Sequence, residues 1–377
     1  MANTLTNLIP LAYEALDVVS REVTGFLGAV NLDAAAETIA KGQTVYSPVA
    51  PANTTGNITP AMTVTAATDQ TIGTKSLTVD SYKSSGFNWT GEEEFGLASG
   101  GRMEGIMRDQ LAQCFRVHVN EIETALGLAA KNGASRAIGT TAGTAPILAD
   151  FAGAQKILTD NGAPATGRSV ILDTTAGVAL RGIANLYKVN ESGDSGLLRN
   201  GVLGNLYGFD LRESAGISSA TAGTGASYTT TSAGFAVGTT SIPLITGSGT
   251  VLAGDIVTFA GDTNKYVVTT GVAAPGTIEI AAPGLKVAMS AATKAMTIFG
   301  TSARNIAMSR NAITLATRLP KFQAGDQAAD RYVMTDPNTG ISFEITMWPG
   351  QRMVKYEVAI AYGMSVIKPE HLAVIIG

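Results

Sequence analysis

The chain has 377 residues, enough for more than one hydrophobic core, because single cores stop growing near about 250–300 residues. Only 15% of the residues are charged, the net charge is −4 and the Lys and Arg residues are scattered, which argues against a groove that tracks nucleic-acid phosphates. The single cysteine excludes an intramolecular disulfide. No basic region precedes the first apolar residues, so the sequence predicts no secretory signal and folding in a cytoplasm.

The N-terminal part combines a helical pattern with a polar segment that follows it. Apolar residues recur every three or four positions from Ile9 to Val30, which predicts a one-sided helix or a helix pair. The fragments MTVTAATD (62–69) and KSLTVDSY (75–82) alternate apolar and polar residues, which predicts a two-stranded ribbon around the tip DQTIGTK. This ribbon has too little apolar surface to be stable alone, so we expect it to lie on another surface, and a neighbouring subunit is one candidate.

The longest helical signal extends from about Arg102 to Lys131, where apolar residues step along one face by threes and fours. At 1.5 Å per residue this helix is a rod of roughly 45 Å. Asn132-Gly133 follows it and is a common helix stop. The sequence therefore predicts one long helix near the middle of the first half.

The second half of the chain alternates between α/β patterning and short strands. A helix is predicted at 146–161, a strand at 169–173 and a helix at 174–189, followed by LRNGVLGNLYGFDLRES. Short strands separated by Gly and Pro turns dominate from about Gly234 to Phe299, which predicts a small barrel or sandwich. The later fragments ISFEITMW, MVKYEVAIAYG and EHLAVII are strands that complete the earlier sheet. The β-module is therefore predicted to be inserted into a loop of another domain.

Candidate chemical groups do not converge on a site. His118 and Glu121 share a helical face, yet His118 also lies on the apolar stripe of the long helix, which favours a packed histidine over a metal ligand. Cys114 in the same helix is typical of a buried thiol rather than a nucleophile. GGRMEG (100–105) lacks the preceding strand and the Lys-Ser/Thr pair of a phosphate loop. The sequence predicts a structural protein, not an enzyme, with no catalytic residue, cofactor or metal.

An acidic run, Glu92, Glu93 and Glu94, precedes the long helix. Carboxylates in this position stabilise the positive end of a helix dipole, or they contact another subunit. Both interpretations remain open at the level of sequence.

The order of these elements resembles that of the major capsid protein of tailed double-stranded-DNA bacteriophages. The segments that carry the resemblance are AYEALDVVSREVTGFLGAVNLD with GQTVYSPVAP, the long helix, LRNGVLGNLYGFDLRESAGI, and the ending AIAYGMSVIKPEHLAVI. The inserted stretch with GDIVTFAG resembles part of the β-barrel that some coat proteins of short-tailed phages carry between these segments.

The resemblance implies an α+β fold of the tailed-phage major capsid type, with an N-terminal arm, an extended β-loop, a long spine helix, a split α/β axial domain and an inserted small β-barrel domain. The implied division is 1–35 for the N-terminal arm, 36–91 for the extended loop, 92–140 for the spine helix and peripheral domain, 141–217 for the first part of the axial domain, 218–300 for the inserted β-barrel domain, and 301–377 for the return strands of the axial and peripheral domains.

The function implied by the resemblance is self-assembly into pentamers and hexamers of an icosahedral capsid around a phage DNA genome. The implied partners are other copies of the chain, scaffolding and portal proteins, and packaged DNA through non-specific contact, with no membrane. The implied location is the virion capsid, assembled in the cytoplasm of the bacterial host. An implied intersubunit contact places Glu92, Glu93 and Glu94 against Arg102 or Arg108 of a neighbour.

Two other classes of protein fit parts of the sequence. A β-rich surface or adhesion protein explains the Thr and Gly content but predicts export and monomers. A hydrolase explains the α/β pattern in the middle of the chain but predicts a pocket with perturbed titratable groups.

Overall fold

A computed structural model of the protein describes residues 12–15, 24–49, 55, 57, 60, 62, 72–99, 103–139, 141–187, 203–217, 219–322, 325, 328, 330–337 and 339–377. Its helices include α1 (Gly91–Ser99), α2 (Met103–Gly133), α3 (Leu148–Asp160), α4 (Thr174–Arg181) and α5 (Ala184–Tyr187), with 3₁₀ turns at Arg310–Ala312 and Pro369–His371.

The strands are β1 (Asn31–Ile39), β2 (Thr44–Val49), β3 (Gly73–Thr78), β4 (Ser81–Thr90), β5 (Arg136–Ile138), β6 (Arg168–Leu172), β7 (Asn205–Leu206), β8 (Phe209–Glu213), β9 (Ser219–Ala220), β10 (Ala226–Thr230), β11 (Ser241–Ser248), β12 (Ile256–Phe259), β13 (Lys265–Thr270), β14 (Thr277–Ile280), β15 (Met296–Ile298), β16 (Ser302–Ser309), β17 (Ile313–Pro320), β18 (Asp330–Thr335), β19 (Ser342–Gly350), β20 (Met353–Val366) and β21 (Leu372–Ile376). The chain is thus a mixed α/β protein with many strands and few helices, in agreement with the coarse fold class that the sequence predicts.

The first sheet is built around β20, which has 14 residues. One edge of β20 pairs along its length with β4, and the other edge pairs first with β19 and then with β17. The strand β1 joins β17 in parallel, and β18 joins β19. Strands from both ends of the chain therefore meet in one sheet.

The long helix α2 packs against this sheet and forms the largest hydrophobic cluster with it. Its buried stripe includes Leu111, Phe115, Ile122 and Leu126, and the Phe115 ring lies 5.2 Å from that of Phe343. The predicted helix over Arg102 to Lys131 is confirmed for Met103 to Lys131, while Arg102 lies outside the described residues. Gly133 ends the helix where a Cβ would stand 2.7 Å from a methyl carbon of Val366, so a larger residue has no room.

A second sheet runs in the order β5, β21, β16, β6, β8, β7. The helices α3 and α4 contribute buried residues to the hydrophobic cluster on one of its faces. The strand β6 pairs in parallel with β8, while β16 pairs with both β6 and β21 in antiparallel fashion. This is the predicted α/β pattern, but of the three late fragments only EHLAVII, in β21, completes this sheet, whereas ISFEITMW and MVKYEVAIAYG form β19 and β20 of the first sheet.

The N-terminal segment differs from its predicted helix. Residues 12–15 are helical, but residues 24–30 form turns, and β1 begins at Asn31. A Cβ on Gly25 would lie 2.7 Å from that of Ser214, so the chain approaches this loop more closely than a residue with a side chain allows. The apolar spacing up to Val30 therefore reflects direct burial of the turn, not a continuous helix. The arm boundary implied between residues 35 and 36 falls inside β1.

The predicted pairing of residues 62–69 with residues 75–82 lies outside the described residues, of which only Met62 belongs to the first of these two fragments. The strand β3 pairs with β2, a partner that the sequence did not predict, from Thr44 opposite Thr78 to Val49 opposite Gly73. The fragment KSLTVDSY is divided, because its last residues belong to β4 in the first sheet. The division occurs at Val79, which is fully buried and exchanges backbone hydrogen bonds with residues 42 and 43.

Residues 219–299, hereafter the 219–299 segment, have a hydrophobic cluster of their own that includes Tyr228, Phe259 and Tyr266. Its strands pair in the order β10, β11, β14, β13, β12, β15. The last strand of this order lies beside the first one. Thr229 in β10 forms a β-bridge with Ala295, just before β15, and the Thr230 N–H donates to the Lys294 carbonyl at 2.9 Å.

The 219–299 segment is joined to the rest of the protein through β13, which pairs with β5 at Tyr266 and Arg136, and through β9, which pairs with β16. Alternation along the strands divides the side chains between two cores. Val257, Tyr266 and Val268 lie in the segment's own cluster, whereas Ile256 and Val267 belong to the cluster around α2. The turn at Gly254 abuts the end of α2, where a Cβ would stand 2.5 Å from Oδ1 of Asn132.

We expect Phe259→Ala to destabilise the 219–299 segment by about 3–5 kcal/mol, because the ring is buried in a separate cluster. Hydrogen exchange followed by mass spectrometry should show loss of protection in β10 to β15 that is larger than in α2. The control is Phe95→Ala, at a side chain that is 79% exposed and whose removal should cost less than about 0.5 kcal/mol. Equal loss of protection in α2 and in the segment would show that the two clusters unfold as one.

Candidate functional site

His118 is a packed histidine of the large core, as its place in the apolar stripe predicts. The side chain is 2% exposed, and Nε2 lies 3.0 Å from the Val358 carbonyl and 2.9 Å from Ser85 Oγ. A carbonyl only accepts, so Nε2–H is the donor, and the Ser85 hydroxyl can donate to the Cys114 carbonyl at 3.3 Å. The serine proton is therefore not held by the imidazole, and the pair is not an activated nucleophile. Burial lowers the pKa of His118, which keeps the ring neutral.

The other candidate groups on α2 are also structural. Cys114 is buried, and burial raises the pKa of its thiol, which disfavours the reactive thiolate. Glu121 binds Lys83 at 2.6 Å and accepts from the Tyr362 hydroxyl at 3.2 Å. Across the described ranges, no group of three His, Cys, Asp or Glu residues could hold a metal ion. Nor does any helix in that part of the chain have the length and apolar character needed to cross a membrane.

The acidic run opens the helix α1, and its middle member closes a capping box. The Thr90 N–H donates to Glu93 Oε2 at 2.9 Å, and the Glu93 N–H donates to Thr90 Oγ1 at 3.3 Å. The hydrogen bond from the Thr90 N–H lowers the pKa of Glu93, as expected for a carboxylate bound at a helix N-terminus. Glu93 therefore serves its own helix, in line with the helix-terminus interpretation of the run.

Glu92 and Glu94 instead line an open groove of about 680 Å³. The groove lies between the start of α1 and the turn that joins β19 to β20, where Gly91 donates its N–H to the Arg352 carbonyl at 3.3 Å. Trp89 and Met353 contribute apolar surface to it. On the next turn of α1, the Phe95 side chain is 79% exposed, which the sequence analysis did not single out.

Of the two arginines that the resemblance places in an intersubunit contact, only Arg108 lies within the described residues. Arg108 donates to Glu14 Oε1 at 3.0 Å and to Asp109 Oδ1 at 3.2 Å, so its guanidinium is engaged within the chain. Arg102 lies outside the described residues. The pairing of the acidic run with Arg102 or Arg108 across two subunits remains a prediction.

The ribbon of β2 and β3 exposes large side chains. Tyr46 and Ile72, at its side and at its far end, are each 66% exposed. Its base is fixed to the body, because Leu77 packs with Ile39 and Val79, and the Lys75 ammonium donates to the Ile367 carbonyl. The ribbon is therefore anchored at its base, while Tyr46 and Ile72 stay exposed in this subunit.

No protein-family model matches the chain, and no curated protein matches it. Among solved structures, the chain is similar to one described as the capsid structure of the cyanophage P-SCSP1u, with 10% identity, a TM-score of 0.52, and 94% of this chain and 88% of that chain covered. It is also similar to the mature capsid of bacteriophage PhiM1, with 12% identity, a TM-score of 0.47, and 94% and 87% covered, and to a structure from Mycobacterium phage Che8, with 15% identity, a TM-score of 0.46, and 89% and 85% covered. The cyanophage match shows that this chain has the fold of a phage capsid protein.

Proposed function

We propose that the chain is the major capsid protein of a tailed phage and that it self-assembles into a closed icosahedral shell. The observation that carries this proposal is the capsid fold, shared with the cyanophage structure over most of both chains. A structural role, not an enzymatic one, fits the packed state of His118, Ser85 and Cys114. In this proposal the division of the chain is the one that the resemblance implies.

The ribbon supplies a physical route to assembly. A two-stranded element with exposed Tyr46 and Ile72 is marginal in water, and a neighbouring subunit can cover it. Head-to-tail contacts of this kind generate rings, and the same chain must close into rings of five and of six. Many weak contacts acting together then stabilise the shell, while a single misplaced subunit can still dissociate.

We assign the 219–299 segment to an inserted β-barrel domain. Two facts support this assignment: the strand order returns from β15 to β10, and the segment buries Tyr228, Phe259 and Tyr266 in its own cluster. Its proposed role is to assist folding of the subunit or contacts between capsomers.

The proposed partners follow from the same function. Scaffolding and portal proteins would meet the shell during assembly in the host cytoplasm, and the packaged DNA would contact the inner surface without sequence specificity. The scattered Lys and Arg residues support a non-specific contact over a dedicated nucleic-acid groove.

Purified full-length protein, alone or with a scaffolding partner, should form closed shells or capsomer-sized oligomers. Sedimentation velocity and electron microscopy measure this directly. A monomer under every assembly condition would contradict the proposal, and it is the result that an adhesion protein predicts.

Replacement of residues 50–72 by Asn-Gly should leave the subunit folded and abolish shells. Val49 and Gly73 are opposite each other, so a two-residue turn can close the shortened hairpin. Circular dichroism and sedimentation are the two measurements. The control is Pro275→Asn, at an exposed position in another turn, and it should assemble normally. Loss of folding in the shortened protein would mean that the removed residues stabilise their own subunit.

Glu92→Lys should reduce assembly, because this carboxylate lines the groove beside α1 and is proposed to face a neighbour. The control is Glu104→Lys, an exposed acid in the first turn of α2 with the same change of charge. Assembly yield at low and high salt is the readout, since an exposed ion pair is screened by salt. Equal yields for the two variants would remove Glu92 from the contact.

A further inference from the structure

An open pocket of about 440 Å³ lies on the second sheet, beside the turn at residues 24–30. Val170 and Leu211 belong to the hydrophobic cluster with α3 and α4. Alternation along the strands therefore directs Ser169 and Asp210 to the opposite face. The strand register places Ser169, Asp210 and Asn205 side by side on β6, β8 and β7. The lining of this pocket, hereafter the arginine pocket, includes Gly28, Ser169, Asn205, Asp210, Arg212 and Arg310.

Arg212 is held in a fixed position in the pocket. Its Nε and one of its terminal nitrogens both lie 2.9 Å from Oδ2 of Asp210. A Cβ on Gly28 would overlap the other terminal nitrogen, so only glycine leaves room for this guanidinium. Glu123 on α2 also interacts electrostatically with Arg212. The position of Arg212 is thus determined within the chain, and its charge is balanced by acids.

Two other polar side chains of the pocket are available to a ligand. Arg310 is exposed, and its backbone N–H donates to the Gly167 carbonyl at 3.0 Å, which fixes the main chain at the pocket edge. Its guanidinium has no hydrogen-bond partner in the part of the chain that the structure describes. Ser169 is only 7% exposed, and among the same residues its hydroxyl has no partner either. Buried hydroxyl groups normally have one, so Ser169 can serve a bound molecule.

The pocket is positively charged. Arg168, which is 6% exposed, donates to the carbonyls of Pro164 and Ala163 at 2.7 Å and to the Thr159 hydroxyl at 3.0 Å. These acceptors are neutral, so they leave the charge of Arg168 uncompensated. Of the described residues that line the pocket, three are arginines and one is an acid. Because the whole chain has a net charge of −4, this local excess of positive charge runs against its overall balance.

We propose that the arginine pocket binds a phosphate group. Guanidinium groups form strong, often bidentate hydrogen bonds with phosphate oxygens, and Arg212 and Arg310 supply two of them. The Ser169 hydroxyl and the Asn205 amide add donors from other strands. Donors on several elements match the tetrahedral arrangement of phosphate oxygens better than the two oxygens of a carboxylate. This site goes beyond the contacts between subunits that the proposed function requires.

The test is titration of inorganic phosphate with the unassembled full-length chain at low ionic strength, followed by the linewidth in phosphorus NMR. Binding should be saturable and should weaken as sodium chloride is added. Arg310→Gln should weaken it by about 10-fold or more, because a hydrogen bond to a charged group is lost. Ser169→Ala removes one neutral donor and should have a smaller effect in the same direction. Circular dichroism checks that each variant is folded, and either variant alone decides if the other is not.

Arg352→Gln is the matched control, an exposed arginine in the turn between β19 and β20 with the same change of charge. It should bind phosphate like the wild type. Absence of saturable binding by the wild type would overturn the proposal. Equal weakening in Arg310→Gln and Arg352→Gln would also overturn it, because net charge alone would then explain the effect.

A second titration identifies the source of the phosphate group. The probe is a short oligothymidylate without terminal phosphates, added to the complex of the wild type with inorganic phosphate. Displacement of phosphate would assign the pocket to the backbone of a nucleic acid, whereas no displacement would assign it to a free or terminal phosphate. Both results support a phosphate site. Because no shell is needed, failure of this proposal is distinguishable from failure of the capsid function.

Discussion

The hydrogen bonding of β20 along both of its edges is the constraint on which the rest of the fold depends. β4 occupies one edge, and β19 and β17 share the other, so the strand joins pieces of chain from residue 81 to residue 366. Alternation places Tyr356, Val358 and Ile360 on the face that packs against α2. Because α2 and the sheet pack against each other in the largest hydrophobic cluster, the ribbon, the N-terminal turn and the groove beside α1 all adjoin that core.

The 219–299 segment is connected to that body by shared residues. Ile256 and Val267 enter the core around α2, while their neighbours along the same strands enter the segment's own core. Movement of the segment as a free module would remove these two side chains from the main core and break the pairing of β13 with β5. The contact of the Gly254 turn with the end of α2 adds a steric connection. A change in the course of α2 would therefore be transmitted to the segment.

The sequence predicts the elements whose signals are local and misplaces those decided by tertiary contacts. The α2 helix was predictable because its apolar residues repeat at helical spacing from Leu111 to Ala129. The pairing of β3 with β2 was not predictable, since period-two alternation does not identify which segment lies beside a strand. The turn at residues 24–30 carries a helical spacing because Phe26, Leu27 and Val30 are buried by other segments. The arginine pocket was hidden for the same reason, because the segments that line it are far apart in the sequence.

The distribution of charge indicates which contacts are available for assembly. Several ionic groups are engaged within the chain: Arg108 binds Glu14, Arg181 binds Glu213, and Glu93 caps its own helix. Exposed ion pairs contribute only about 0–1 kcal/mol, so the remaining acids of α1 can orient a neighbour but contribute little stability. The large exposed side chains Phe95, Tyr46 and Ile72 are better suited to that task, because apolar burial is not screened by salt. In the proposed shell, apolar contacts of the ribbon and of α1 would therefore stabilise the association of subunits. Glu92 and Glu94 would orient the neighbouring subunit.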